Sequence, residues 1–250
     1  DPAPRVPAQG WITGDAATAL FKAAGQDLAK LRAAANKRGF KPVPLDAKLS
    51  LDLKSSSVEK SSRNVIGLLP GSEAPDEAIV YMAHWDHLGT HEGESGDNIY
   101  NGAVDNATGV AAILELAEAF RKAKTPPKRS ILFLAVTLEE SGLLGSKYYV
   151  AHPVVPLDKT VAVVNLDALA PVGKARDITV VGKGSSQLED VLKVVLDKQR
   201  RKAVGEENTA AGYYFRSDHF NFAKAGVPAL YIDSGTDLVE GGKAAGEAAG

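Results

Sequence analysis

A chain of 250 residues with 44% hydrophobic and 24% charged residues has the composition of one large α/β domain, or of a domain with a small appendage. Its formal net charge of -2 provides no basic field for nucleic acid or anionic lipid, and no apolar run reaches the length of about 18 residues that a membrane-spanning helix needs. Cysteine is absent, which excludes disulfides, thiol catalysis and cysteine-ligated zinc.

Residues 1–10 combine Pro2, Pro4 and Pro7 with neither a basic start nor an apolar stretch, and read as an extended linker rather than a signal peptide. Ala17, Leu20, Phe21, Ala24, Leu28, Leu31 and Ala35 recur with a helical period, predicting a helix over 13–39 that Thr13 caps and Gly39 ends. Alternation over 49–56 predicts a half-exposed strand; 64–71 and 78–84 predict two more, the second more buried. Residues 91–101 are polar and glycine-rich and read as a loop. Residues 107–120 place Val110, Ile113, Leu114, Ala117 and Phe120 on one helical face. The continuous apolar run entering 129–140 predicts a central buried strand, followed by a short helix over 142–152. Strands follow at 160–169 and 177–182, then a helix at 186–200, a short helix at 217–226 and a last strand at 227–233. Residues 240–250 are small and glycine-rich, with no capping element.

Strands alternating with helices predict a three-layer α/β sandwich, its mostly parallel sheet covered by helices on both faces. Residues 1–40 stand before it as linker and helix, and 41–250 form the α/β domain. In such sheets ligands bind beyond the carboxyl ends of the strands. The ionisable residues agree. His84 and Asp86 close one strand, Glu139 and Glu140 another, Asp167 a third, and Asp105 lies in a loop before a helix. Gathering that many carboxylates is costly unless a cation compensates. Histidine with aspartate and glutamate suits hydrolytic zinc, manganese or cobalt, and the surplus of acids points to two ions with Asp105 bridging them. Of Glu139 and Glu140, one is expected to bind metal and the other to stay free as a base. Asp86 is expected to accept the second imidazole N–H of His84. Taken singly, Asp105 also suits a helix cap and Glu139–Glu140 a helix start. His87 reads as local packing or as a partner of an aspartate, His91 as a loop residue and His152 as a helix end. His219 suits a ligand by residue type, whereas Ser217 and Asp218 suit an N-cap.

The segments HWDHLG, NGAVDNATGVAAILELA, LEESGLLGS, NLDA and RSDHFNFAKAGVPALY, in that order from about residue 64 to 233, resemble the co-catalytic zinc aminopeptidases. That family includes bacterial leucyl aminopeptidases and is related to glutamate carboxypeptidases and to the non-catalytic transferrin receptors. The resemblance implies a mixed sheet of zinc-exopeptidase type and two zinc ions, with manganese or cobalt as substitutes. It implies that His84 and Asp167 bind one ion, Glu140 the other, and Asp105 both. Glu139 becomes the general base and acid, and Asp86 the residue that orients His84. A cis peptide is implied at Asp105–Asn106. Ser217, Asp218 and His219 fall near the substrate pocket, and His219 is not carried over as a ligand.

In the family a fifth ligand, a histidine in a Tyr-His motif, comes after the last matched strand, and no histidine follows Asp233 here. The expectation is a piece of a longer protein in which the second metal position is short of a ligand. The opening segment resembles the stretch that succeeds an inserted protease-associated domain. The implied activity is removal of an N-terminal residue from a peptide with a free amine, and the implied location is periplasmic or secreted. The rival readings are a carboxypeptidase, deacylase or glutaminyl cyclase on the same scaffold, or a binding ectodomain without catalysis.

Overall fold

The computed structural model describes residues 10–249 apart from 49, 55, 57, 92 and 94. The linker expected at 1–10 therefore lies outside the described residues except for Gly10. The chain divides into two units, residues 1–59 and 60–250.

In the first unit the long helix expected over 13–39 is two helices, α1 (Gly14–Ala23) and α2 (Leu28–Ala35). The break has a local cause. Gly25 takes φ +69°, a conformation that ends a helix and that glycine adopts freely. Asp27 then accepts the amide of Lys30 at 3.0 Å and starts a new helix, as Thr13 starts the first by accepting Ala16 N–H at 3.2 Å. The strand expected over 49–56 does not form among its described residues, and residues 49 and 55 of that stretch lie outside them.

The second unit holds a seven-stranded sheet. In chain order its elements are β1 (Val65–Leu69), β2 (Ala74–His84), β3 (Gly89–Thr90), β4 (Ile99–Tyr100), α3 (Ala107–Lys122), β5 (Arg129–Val136), α4 (Leu144–Ala151), β6 (Thr160–Leu166), β7 (Asp177–Val181), α5 (Leu188–Gln199), β8 (Lys202–Gly205), α6 (His219–Lys224), β9 (Ala229–Ser234) and α7 (Gly242–Ala249). The sheet order is β1-β5-β2-β6-β9-β7-β8, while β3 and β4 make a separate two-stranded ladder inside the stretch expected to be loop. β2 runs parallel to β5 and β6, and β6 parallel to β9; β1 is antiparallel to β5, and β7 to β9. The expected three-layer sandwich with a mostly parallel mixed sheet is therefore present.

Side chains alternating along β2 explain the three layers. Val80 and Met82 join Leu132, Leu134, Val163, Tyr149 of α4 and Phe222 of α6 in one core cluster. Tyr81 and Ala83 join Leu166 and Val110, Ile113 and Leu116 of α3 in the other. Each fully buried side chain of this size contributes about 1.5–3 kcal/mol. Because β2, β5 and β6 are neighbours and parallel, their carboxyl ends share one edge, where His84 stands opposite Val136 and Met82 opposite Asn165. No helix among the described residues is long and apolar enough to cross a membrane.

Candidate metal centre

His84 ends β2 with 1% of its surface exposed. Its Nδ1 lies 3.1 Å from the backbone carbonyl oxygen of Asp86. A carbonyl only accepts, so that contact places the proton on Nδ1 and leaves Nε2 with its lone pair. Nε2 faces Asp105 Oδ1 at 3.0 Å and Asp167 Oδ1 at 3.1 Å. Three lone-pair groups that close require a shared cation, either a second proton on the ring or a metal ion. Burial alone disfavours the charged imidazole, but Asp167 outweighs it, with Glu139 and Asp218 adding, and the ring's pKa rises to about 10.

Asparagine sets two of these acids. Asn106, buried at 2% exposure, caps α3 by accepting Gly109 N–H at 2.9 Å, and its side chain donates to the Leu166 carbonyl at 3.0 Å. It also accepts Ala168 N–H at 3.2 Å. The start of α3 is thereby joined to the end of β6, and Asp105 and Asp167, the neighbours of these joints, meet at His84. The capping role considered for Asp105 belongs to Asn106, and Asp105 remains available. The Asp105–Asn106 peptide is cis, as the resemblance implied. Asp167 gains a further partner: Asn165 donates to Ser217 Oγ at 2.7 Å, and Ser217 donates to Asp167 Oδ2 at 2.6 Å. Burial works against the Asp167 carboxylate, but the contacts from His84 and Ser217 prevail and hold it below its usual range.

Glu139 and Glu140 follow β5 on a turn whose first residue, Leu138, takes φ +56°. Leu143 and Ala168 also take positive φ, at 59° and 53°, so left-handed non-glycine residues gather around this edge. Such conformations cost on the order of 1–3 kcal/mol each and mark functional sites. The Asp86 carboxylate holds the turn by accepting Glu139 N–H at 3.1 Å and Glu140 N–H at 3.3 Å. This corrects the expected geometry. The Asp86 carboxylate stands 3.8 Å from His84 Nδ1, and its backbone oxygen makes the close contact instead. β2 ends at His84, so strand alternation does not carry through to Asp86. Burial raises the Glu139 pKa to about 8, opposed by His84 and assisted by Asp218, Asp167 and Glu140.

His87, read from sequence as packing or an aspartate partner, comes within 2.7 Å of Glu140 Oε1 through Nδ1. Two triplets result, His84–Asp105–Asp167 and His87–Asp105–Glu140, each with ligand atoms within 4.8 Å of one another. His87 Nδ1, Asp105 Oδ1 and Glu140 Oε1 are buried atoms without a hydrogen-bond partner. Such atoms are rare in folded proteins and fit a divalent cation with nitrogen and oxygen ligands. His91 and His152 belong to neither triplet. Ser217, Asp218 and His219 lie under the site at 2%, 0% and 0% exposure. Asp218 accepts from Ser146 at 2.5 Å, and the His219 ring lies 4.9 Å from those of both Tyr214 and Tyr231. Their neighbours Phe215, Arg216 and Phe220 reach a cleft of about 510 Å³ that Glu139 and Glu140 also line.

Fold and donor set together define an α/β sandwich with two groups of His, Asp and Glu side chains, at one edge of its sheet, that fit a divalent metal. Residues 64–246 match peptidase family M28, and the chain belongs to that family. Aminopeptidase NAALADL1 of Mus musculus is 31% identical over 165 residues, which is 62% of this chain and 20% of the relative. A protein of Pyrenophora teres named "Probable zinc metalloprotease" is 43% identical over 84 residues, 33% of this chain and 17% of that protein. Among solved structures, LapB from Legionella pneumophila superposes with a TM-score of 0.55 at 26% identity, covering 69% of this chain and 44% of that one. The chain thus spans less than half the length of these relatives.

Proposed function

We propose that this chain carries the catalytic site of a zinc-dependent aminopeptidase acting on peptides with a free N-terminus. The observation that carries the reading is the pair of donor triplets sharing Asp105, with Glu139 beside them on the turn that Asp86 anchors. The NAALADL1 relative is named an aminopeptidase and the Pyrenophora relative a zinc metalloprotease. Those names favour this activity over the carboxypeptidase, deacylase, cyclase and non-catalytic readings.

His84, Asp105 and Asp167 would hold one ion, and Asp105 and Glu140 would take part in holding a second. Zinc bound there would supply an acidified water nucleophile near neutral pH and polarisation of a carbonyl oxygen. Glu139 accepts the proton of the attacking water on its carboxylate and delivers it to the leaving amine nitrogen. Asp86 fixes the backbone from which Glu139 and Glu140 project, and Ser217 fixes the rotation of Asp167. A periplasmic or secreted location belongs to the same reading.

The test is hydrolysis of aminoacyl anilides and of their N-acetylated forms by zinc-loaded protein. Cleavage of the free-amine substrates alone, reduced about 10²–10⁴-fold in Glu139→Gln at equal zinc content, is expected. Equal cleavage of blocked substrates, or full activity of Glu139→Gln, overturns the proposal.

A further inference from the structure

We propose that His87 is a metal ligand, completing with Asp105 and Glu140 the second position of the centre, so that this one chain supplies an imidazole to each position. The inference rests on the metallopeptidase reading above and on the placement of three ligand-type atoms.

The geometry excludes an ordinary hydrogen bond. His87 Nδ1 and Glu140 Oε1 are 2.7 Å apart, inside normal hydrogen-bond range, yet neither atom has a partner at hydrogen-bonding angles. Asp105 Oδ1 is a third buried atom in the same condition. His87, Asp105 and Glu140 each offer a ligand atom, and these atoms all lie within 4.8 Å of one another. Zinc bonds of about 2.0–2.2 Å to nitrogen and oxygen set neighbouring ligand atoms roughly 3–4 Å apart, so one ion would fit among the three once the 2.7 Å contact between His87 and Glu140 opens slightly. Asp105 belongs to both triplets, as a bridging carboxylate between ions about 3.5–4 Å apart must.

The surroundings fix the ring in place. Tyr100, on the β4 strand that pairs with β3, meets the His87 ring edge-on at 6.4 Å between centroids. Gly102, at φ +64°, lies so close that a Cβ there would stand 3.0 Å from the His87 Cβ and 2.9 Å from the Asp105 backbone oxygen. The loop between β4 and α3 therefore closes over His87 at a residue without a side chain and places Asp105 beside it. An ion pair between His87 and Glu140 alone is the competing account.

The experiment is zinc stoichiometry and affinity, by calorimetry and elemental analysis, on EDTA-stripped chain reloaded with zinc alone. The wild type is expected to take two equivalents. His87→Ala and His87→Gln are expected to keep one tight equivalent and to bind the second more than about 100-fold more weakly or not at all, beyond the roughly 10–100-fold loss that removing an outer-shell partner produces. The melting temperatures of their stripped forms should match the wild type. In wild-type protein labelled with ¹⁵N-histidine, zinc should shift the ring nitrogens of His87, which needs no variant to fold. A second equivalent bound as tightly without His87, a single equivalent indifferent to His87, or His87 nitrogens unmoved by zinc each overturns the ligand assignment while the metallopeptidase reading stands. A wild type that takes up no zinc overturns that reading itself.

Discussion

Replacing Gly109 by alanine sets two opposing effects against each other. Gly109 lies in the first turn of α3, and helix propensity alone favours alanine there by about 1 kcal/mol. The packing opposes it. An added Cβ would stand 2.4 Å from Asn106 Oδ1 and 2.4 Å from the Leu166 backbone oxygen. Neither can retreat without breaking the joint between α3 and β6. The cap on Gly109 N–H is worth about 1 kcal/mol, and the Asn106 bonds to Leu166 and Ala168 about 1 kcal/mol each. Overpacking adds about 1–3 kcal/mol if the joint holds instead of breaking. Less the propensity gain, breaking the joint leaves a net loss of about 2 kcal/mol and overpacking a loss of up to about 2 kcal/mol. Urea denaturation should show that loss with an unchanged m-value, together with weaker zinc binding, because Asp105 and Asp167 flank the disturbed joint. Gly14→Ala serves as control, since its Cβ meets nothing within 4 Å. Unchanged or increased stability of Gly109→Ala would refute the account of how these acids are positioned.

Leu134→Ala, at a fully buried core position of β5, should cost about 2–5 kcal/mol in the same denaturation assay. Asp86→Ala removes the acceptor for two amides and should weaken zinc binding roughly 10–100-fold by calorimetry, with Asp86→Asn milder because one oxygen still accepts. His219 is buried, and desolvation lowers its pKa from 6.5 to about 4, partly offset by Asp167. The unfolded chain then binds the proton more readily, so stability present above pH 6.5 is lost as pH falls toward 4, on the order of 3 kcal/mol in all. His219→Phe keeps a ring between Tyr214 and Tyr231 and should flatten that slope; an identical slope in both proteins would count against a buried neutral imidazole.

How far the sequence foretells the structure depends on what each signal measures. β2, β5 and β6 are apolar on both faces, so continuous hydrophobic runs announce them and the acids at their ends. β8 is four residues, Lys202–Gly205, partly exposed and without such a run, and α7 is Gly- and Ala-rich; neither carries a signal that periodicity can read. The break at Gly25 is hidden because the apolar period continues across it, while only the backbone angle reveals the turn. That His84, Glu140 and Asp167 meet is legible because topology brings strand ends together, and Asp105 joins them from the loop before α3. The approach of His87 is not. That residue lies beyond the end of β2, where no periodicity says which way a side chain points, and its partners come from the turn after β5 and the loop before α3. The same loss of periodicity misplaces the Asp86 carboxylate. Asn106, which joins α3 to β6, is masked by the acid beside it.

The position of His84 in the sheet has a dynamic consequence. β2 is paired on both sides, and Val80, Met82 and Ala83 are fully buried, so the amides before His84 should exchange with solvent only through global opening. Asp105 and Glu140 stand instead on connecting segments, held to the strands by a few hydrogen bonds, and such segments open locally at lower free energy. The centre would then come apart in a fixed order, Asp105 and Glu140 first and His84 last. An ion that binds only the assembled form ties the connections to the slowest strand, and its uptake should appear as slowed exchange in the loops with little change in β2.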